Sequence, residues 1–158
     1  MFKKILVPLD GSELAAKIIP KVVDLAQKYQ AEVTLLQVYY AEVGEATPGV
    51  IRDAVAQEAK RCELSLAQTA KDLEAQGVKA KAVCLEGSPA REIIAYAARQ
   101  GMDLIAMATH GKGEVAWVLG SVAEKVVTHA LVPVLLFRVL EIKPLLLKED
   151  PYFTRGLP

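Results

Sequence analysis

Ala106-Met-Ala-Thr-His-Gly-Lys-Gly-Glu-Val-Ala-Trp-Val-Leu-Gly-Ser121 is the stretch on which the reading of this chain turns. It leaves a strand-like run, Asp103 to Ala108, and enters Val122 to Ala130, which reads as a helix. In a parallel sheet such a loop emerges at the carboxyl end of its strand, where α/β proteins take ligands. Gly111, Gly113 and Gly120 let backbone approach a ligand where a Cβ would intrude. Ser121 and Glu124 fit the S-x-x-E capping box, so Gly120-Ser121 marks a helix start. A helix N-terminus presents unpaired N–H groups and a partial positive charge, which suits phosphate. The loop alone supports two readings, a phosphate cradle or a plain helix cap.

Working outward, Lys4 to Leu9 is a continuous apolar run, typical of a parallel strand covered on both faces. Asp10-Gly11-Ser12 turns the chain and can cap the next helix. That helix is expected from Glu13 to Tyr29, with Ile18, Val22, Ala26 and Tyr29 on one stripe and a kink at Pro20. Glu32 to Tyr39 reads as a second strand, and Tyr40 to Gly49 as a loop with Pro48 suited to a first helical turn. The long helix that follows runs to about Gln76 with a narrow apolar face: Ile51, Val55, Ala59, Cys62, Leu66, Thr69 and Leu73. Gly77 stops it. Val78 to Leu85 alternates, with Lys79 and Lys81 facing away from Val78 and Ala80, the pattern of an edge strand. Ser88-Pro89 opens a helix to about Gln100, with Ile93, Ile94 and Ala97 inward. The strand to Ala108, the glycine loop, a helix and a last strand from Pro133 to Leu140 complete the chain. Alternating strands and helices give an α/β fold with one five-stranded parallel sheet and helices on both faces.

Composition narrows the function. At 158 residues and 53% apolar, the chain can bury a sizeable core as one domain. Its 19 basic and 19 acidic residues balance, leaving no electrostatic footprint for nucleic acid or an anionic membrane. No apolar run approaches the ~20 residues of a membrane-spanning helix. The first apolar stretch is five residues and stops at Asp10, short of the ~7–15 of a signal peptide. A cytoplasmic location is expected. Cys62 and Cys84 have neither metal-ligand nor C-x-x-C spacing and lie among apolar neighbours, so buried reduced thiols are expected.

Several motifs together carry a resemblance. Ala108-Thr-His-Gly111 with Gly120-Ser121 is similar to the pattern G-x-x-G, nine residues, G-[ST]. Ile5-Leu-Val-Pro-Leu-Asp10-Gly-Ser12, Gln37-Val38, Glu86-Gly87-Ser88-Pro89 and His129-Ala-Leu-Val-Pro133-Val-Leu-Leu complete the set. The chain resembles a single-domain universal stress protein of the nucleotide-binding branch, over residues 1–138. The resemblance implies strand order 3-2-1-4-5 in a Rossmann-like, adenine nucleotide alpha hydrolase-like fold. It implies a site for ATP or AMP, with or without Mg2+, at the carboxyl end of the sheet. The residues it carries over are Pro8, Leu9, Asp10, Val38, Met107, Ala108, His110, Gly111, Gly120, Ser121 and Val122. Among these Asp10 would contact the nucleoside, and Val38 would touch adenine, with Gln37 standing where histidine is common. Asp10 can equally cap its own turn through Ser12, and Val38 can equally serve the core.

Two departures stand out. The motif's first glycine is Ala108, whose methyl would crowd ribose or phosphate, and only eight residues, Lys112 to Leu119, separate Gly111 from Gly120. Other motifs fail on context. Gly111-Lys-Gly113-Glu-Val-Ala116 matches the dinucleotide fingerprint but follows the fourth strand, with no acidic residue at the end of the next one. No G-x-x-x-x-G-K-[ST] occurs. His110 can donate to a phosphate or simply face solvent; Lys112 can pair with phosphate or be a plain loop lysine; Trp117 is a packing anchor or a lid. Two histidines without partner ligands give no metal site.

Three functions remain: a nucleotide-binding stress or signalling module, a slow ATPase lacking a positioned base, and a nucleotide-free dimeric interaction protein. In each case Pro133 to Leu140, an apolar edge strand, would pair with a second copy to form a homodimer. Residues 139–158 form an extension outside the family domain, whose Leu145-Leu-Leu147, Tyr152 and Phe153 are expected to pack on the partner subunit or, as the alternative, over the crevice.

Overall fold

The computed structural model describes residues 1–41, 44–111 and 119–140. Five strands, β1 (Lys4–Leu9), β2 (Glu32–Tyr39), β3 (Ala80–Glu86), β4 (Leu104–Ala108) and β5 (Val134–Phe137), form one sheet in the order β3-β2-β1-β4-β5. Every neighbouring pair is parallel. The helices are α1 (Glu13–Ala16), α2 (Ile19–Tyr29), α3 (Pro48–Ala75), α4 (Pro89–Arg99) and α5 (Ser121–His129). The α/β class and the strand order agree with the sequence reading.

Alternation along the strands divides the core in two. Ile5, Val7, Val33 and Leu35 face one layer with Val22, Ala26, Leu66 and Leu73 of α2 and α3. Leu6, Leu36, Ile105 and Met107 face the other with Ile93, Ala97, Ala123 and Val126 of α4 and α5. The central strands are buried on both faces, which is why they read as unbroken apolar runs. β3 is an edge, with Lys79 and Lys81 exposed beside buried Val78.

After β1 the chain builds outward to β2 and β3, then crosses back to place β4 on the other side of β1. The helices on the two sides therefore diverge between β1 and β4, and a crevice opens at the carboxyl ends of those strands.

Four details differ from expectation. The first helix is two helices: α1 ends at Ala16, and Pro20 sits in the first turn of α2. A missing N–H costs nothing where no intrahelical partner exists, so this proline starts a helix and does not kink one. On α3, Ala70 is buried where Thr69 was expected, and Ile51, Val55 and Ala59 are only half-buried. β5 is confined to Val134–Phe137 because its partners on β4 run only from Ile105 to Ala108.

The fourth is covalent. Cys62 and Cys84 are joined as a disulfide with Cα atoms 6.2 Å apart, so the expected free thiols are absent. Register places Cys84 opposite Gln37 of β2, and α3 crosses there with the Cys62 sulfur 3.9 Å from the Gln37 carbonyl. Packing of a long helix over the sheet edge brings the two together; their sequence spacing does not reveal it.

Candidate functional site

The turn after β1 is built by its own side chains. Asp10 Oδ1 accepts from the Ser12 N–H at 2.9 Å and from Ser12 Oγ at 2.5 Å. Ser12 Oγ in turn accepts from the Ala15 N–H at 3.1 Å, capping α1. Gly11 lies at φ +79°, a conformation that favours glycine. The capping role weighed for Asp10 is thus observed for Oδ1. Asp10 Oδ2 lies against Gly111, so close that a Cβ there would collide with it. The turn after β1 and the residue that follows β4 thus meet across the crevice.

The ends of the glycine loop are also fixed. Thr109 N–H donates to the Phe137 carbonyl at 2.9 Å, and Gly120 N–H donates to the Thr109 carbonyl at 3.0 Å. His110 is buried, only 3% exposed, with Nδ1 2.8 Å from Thr109 Oγ1. The solvent-facing alternative for this histidine does not hold. Residues 112–118, with Lys112, Gly113 and Trp117, lie outside the described residues, and so does the tail 141–158.

At α5 the N-cap is Gly120, not Ser121, and among the described residues no side-chain cap hydrogen bond is made at this end. Ser121 is the first helical residue, one place too late for the expected capping box, while Glu124 N–H bonds the Gly120 carbonyl at 2.8 Å. A glycine N-cap brings no side chain to the first-turn N–H groups.

These features open on one cavity of about 710 Å³. β1 contributes Pro8 and Leu9 with Asp10 beyond it; β2 contributes Gln37 and Val38. From β4 and its loop come Met107, Ala108, Thr109, His110 and Gly111, and from the α5 end Gly120 and Val122. Ser121 is exposed between those last two. The residues named from sequence are therefore brought together. Ala108 is 7% exposed and packs with the cluster that includes Val7 and Ala15, so the core takes up much of its methyl. Size and lining are those of a small-molecule site.

Sequence reasoning missed one wall. Ala54, Gln57, Glu58 and Arg61 of α3 line the cavity, and Arg61 Nη1 pairs with Glu58 Oε1 at 2.7 Å. The signal was helix length. Twenty-eight residues span ~42 Å, against ~27 Å for the eight residues of β2, so α3 must overhang the sheet. Gln37 is the other outlier, because its Oε1 is buried without a hydrogen-bond partner. Among the described residues no group of three or more His, Cys, Asp or Glu is placed to hold a metal. None of the described helices is long and apolar enough to cross a membrane.

Comparison with known proteins places this geometry. The universal stress protein family matches residues 1–138. Universal stress protein YxiE of Bacillus subtilis is 34% identical, over 87% of this chain and all of that protein. The solved structure of hypothetical protein MJ0577, from Methanocaldococcus jannaschii, is 30% identical with a TM-score of 0.81, covering 90% of this chain and 99% of that one. An Arabidopsis thaliana universal stress family protein, solved with AMP bound, shares the fold at 19% identity and a TM-score of 0.66, over 87% of this chain and 92% of that one.

Proposed function

Because the chain belongs to the universal stress protein family, we propose that its crevice binds an adenine nucleotide, AMP or ATP, and that it works as a binding module without rapid turnover. The observation that carries this is the α5 N-terminus, which opens on the cavity under a glycine N-cap with no side-chain cap hydrogen bond among the described residues. In this reading Gly120, Ser121 and Val122 hold the phosphates, helped by the helix dipole. Asp10 and Val38 meet the nucleoside, and Pro8, Leu9, Met107 and Ala108 form apolar walls, with His110 and Gly111 at the loop's entry. AMP bound to the Arabidopsis relative supports the ligand class. Of the described groups that line the crevice, Asp10 bonds Ser12, Glu58 pairs with Arg61 and His110 is engaged by Thr109, which favours binding over hydrolysis.

A nucleotide-free reading draws on Ala108 and the short loop. Burial of the Ala108 methyl against the core weakens it. Releasing and identifying nucleotide from the purified chain, followed by calorimetry with AMP and ATP, decides between the two. Absence of binding at millimolar nucleotide would sink the first reading, and a phosphate-release assay reads any turnover.

The proposal extends to assembly and place. β5 is the terminal strand, and its Val-Leu-Leu-Phe side chains are only half-buried, so pairing of Pro133 to Leu140 with a second copy would remove an apolar edge. A monomer by light scattering at micromolar concentration would refute the homodimer. The setting is the cytoplasm, where a disulfide between two such cysteines is expected to be reversible.

A further inference from the structure

The two halves of α3 are attached to the molecule very differently. From Cys62 onward the helix is anchored, with Cys62, Leu66, Ala70 and Leu73 buried against the sheet. From Pro48 to Arg61 no residue is buried. Because α3 runs back along β2 and Cys62 lies at Gln37, two residues short of the strand's end, this first half projects ~14 Å beyond the sheet. The projecting half carries Gln57, Glu58 and Arg61, one wall of the crevice. The Cys62–Cys84 bond sits at the boundary, tying the first anchored residue of the helix to the edge strand.

We infer that the Cys62–Cys84 pair is a redox clamp on this wall: oxidised, it fixes the projecting half of α3 over the crevice; reduced, it releases that half and weakens ligand binding. Exposure sets the order of the chemistry. Cys62 is 1% exposed whereas Cys84 is half-buried on the open edge of the sheet, so Cys84 is the sulfur reached from solvent. Its thiolate attacks a small disulfide such as oxidised glutathione, expelling one glutathione thiolate and leaving a mixed disulfide. The Cys62 thiolate then attacks the Cys84 sulfur and expels the second. Two cysteine thiols lose two electrons and two protons, and one glutathione disulfide becomes two thiols. A dithiol reductant reverses both steps. Gln37, opposite Cys84 and next to Cys62, also lines the crevice, so the clamp and the cavity share a wall. A wall fixed in advance need not be ordered by the ligand, and the oxidised form should bind more tightly.

The coupling to ligand rests on the nucleotide reading above, and the test separates the two. The full chain is prepared with its thiols oxidised by glutathione disulfide and, separately, reduced by a phosphine, with thiol titration defining each state. Hydrogen exchange is then followed in 48–61 and 63–75, and AMP affinity is measured by calorimetry. Reduction should speed exchange in 48–61 while 63–75 stays protected, and should weaken AMP at least about fivefold. Cys84→Ser should behave as the reduced protein under both treatments. Two thiols that stay free in glutathione disulfide, or exchange in 48–61 that ignores redox state, would overturn the clamp. AMP bound equally well in both states would overturn the regulation. If AMP binds in neither state, the nucleotide reading fails, and redox-dependent exchange in 48–61 still decides the clamp.

Discussion

Two of the helices whose N-termini reach the crevice, α1 and α5, end in opposite ways. At α1, Asp10 Oδ1 and Ser12 hold the turn, and Ser12 Oγ takes the Ala15 N–H. At α5, the cap is a glycine, which has no side chain to cap with, and among the described residues no side-chain cap hydrogen bond is made there. A capped helix start has used its donors internally, whereas an uncapped one keeps a need that a ligand can meet. The α1 end is therefore built as structure and the α5 end as a site.

The hardest way to break this contrast is Gly120→Val. Gly120 adopts φ −53°, ψ 142°, which any residue can take, so the change brings no backbone strain. AMP and ATP should both lose affinity by at least about 100-fold, roughly 2.7 kcal/mol at 1.36 per decade. Calorimetry on protein shown folded by circular dichroism reads this, and wild-type affinity would move the phosphate site elsewhere. Ser121→Ala is milder. Loss of its hydroxyl should cost about 1–3 kcal/mol toward ATP, the range for a hydrogen bond to a charged group, and much less toward adenosine. Equal losses for both ligands would take Ser121 away from the phosphates.

Ser12→Ala tests the other helix. Removing this N-cap should lower unfolding stability by about 1 kcal/mol, with AMP affinity within a factor of two or three. A large affinity loss at unchanged stability would reverse the assignment of the two ends.

The sequence showed the difference only in part. Strands were readable because burial on both faces makes them apolar throughout, and the family resemblance supplied their order. The ends of helices were harder. Ser121 with Glu124 has the composition of a capping box, yet helix geometry begins one residue earlier, and only the backbone reveals that Gly120 holds the cap position. Pro20 suggested a kink because a helix-long apolar stripe hid the break at Lys17 and Ile18. The crevice residues on β1, β4 and α5 came from motifs, but Gln57, Glu58 and Arg61 come from no motif. They reach the site because α3 is longer than the strand it packs along, and the Cys62–Cys84 bond depends on the same crossing.

The smallest effect on binding is expected at Asp103, which sits at the opposite end of β1. Its Oδ2 accepts from the Lys3 N–H at 2.8 Å and the Lys4 N–H at 2.9 Å, tying the start of β1 to the approach to β4. Asp10 meets Gly111 at the crevice end of these strands, and Asp103 holds them at the far edge, where none of the proposed ligand contacts lies. The hydrogen bond from Lys3 lowers the Asp103 carboxyl below its ordinary value of 3.8, aided by the one from Lys4. A depressed folded-state value means the unfolded chain takes up its proton first. The stability this carboxylate contributes is therefore whole above about pH 3.8 and is lost as pH falls from there through the lower folded-state value. Asp103→Asn keeps an oxygen acceptor but removes the charge. It should be less stable than wild type at neutral pH, and the gap should close as the pH is taken below 3.8. AMP affinity at pH 7 should not change. Urea titrations of both proteins across that range read the first two effects, and a gap that persists unchanged in acid would show that charge is not what Asp103 contributes. A lost AMP affinity would show that the far edge of the sheet is coupled to the crevice, and the division between structural and ligand-holding ends would then fail.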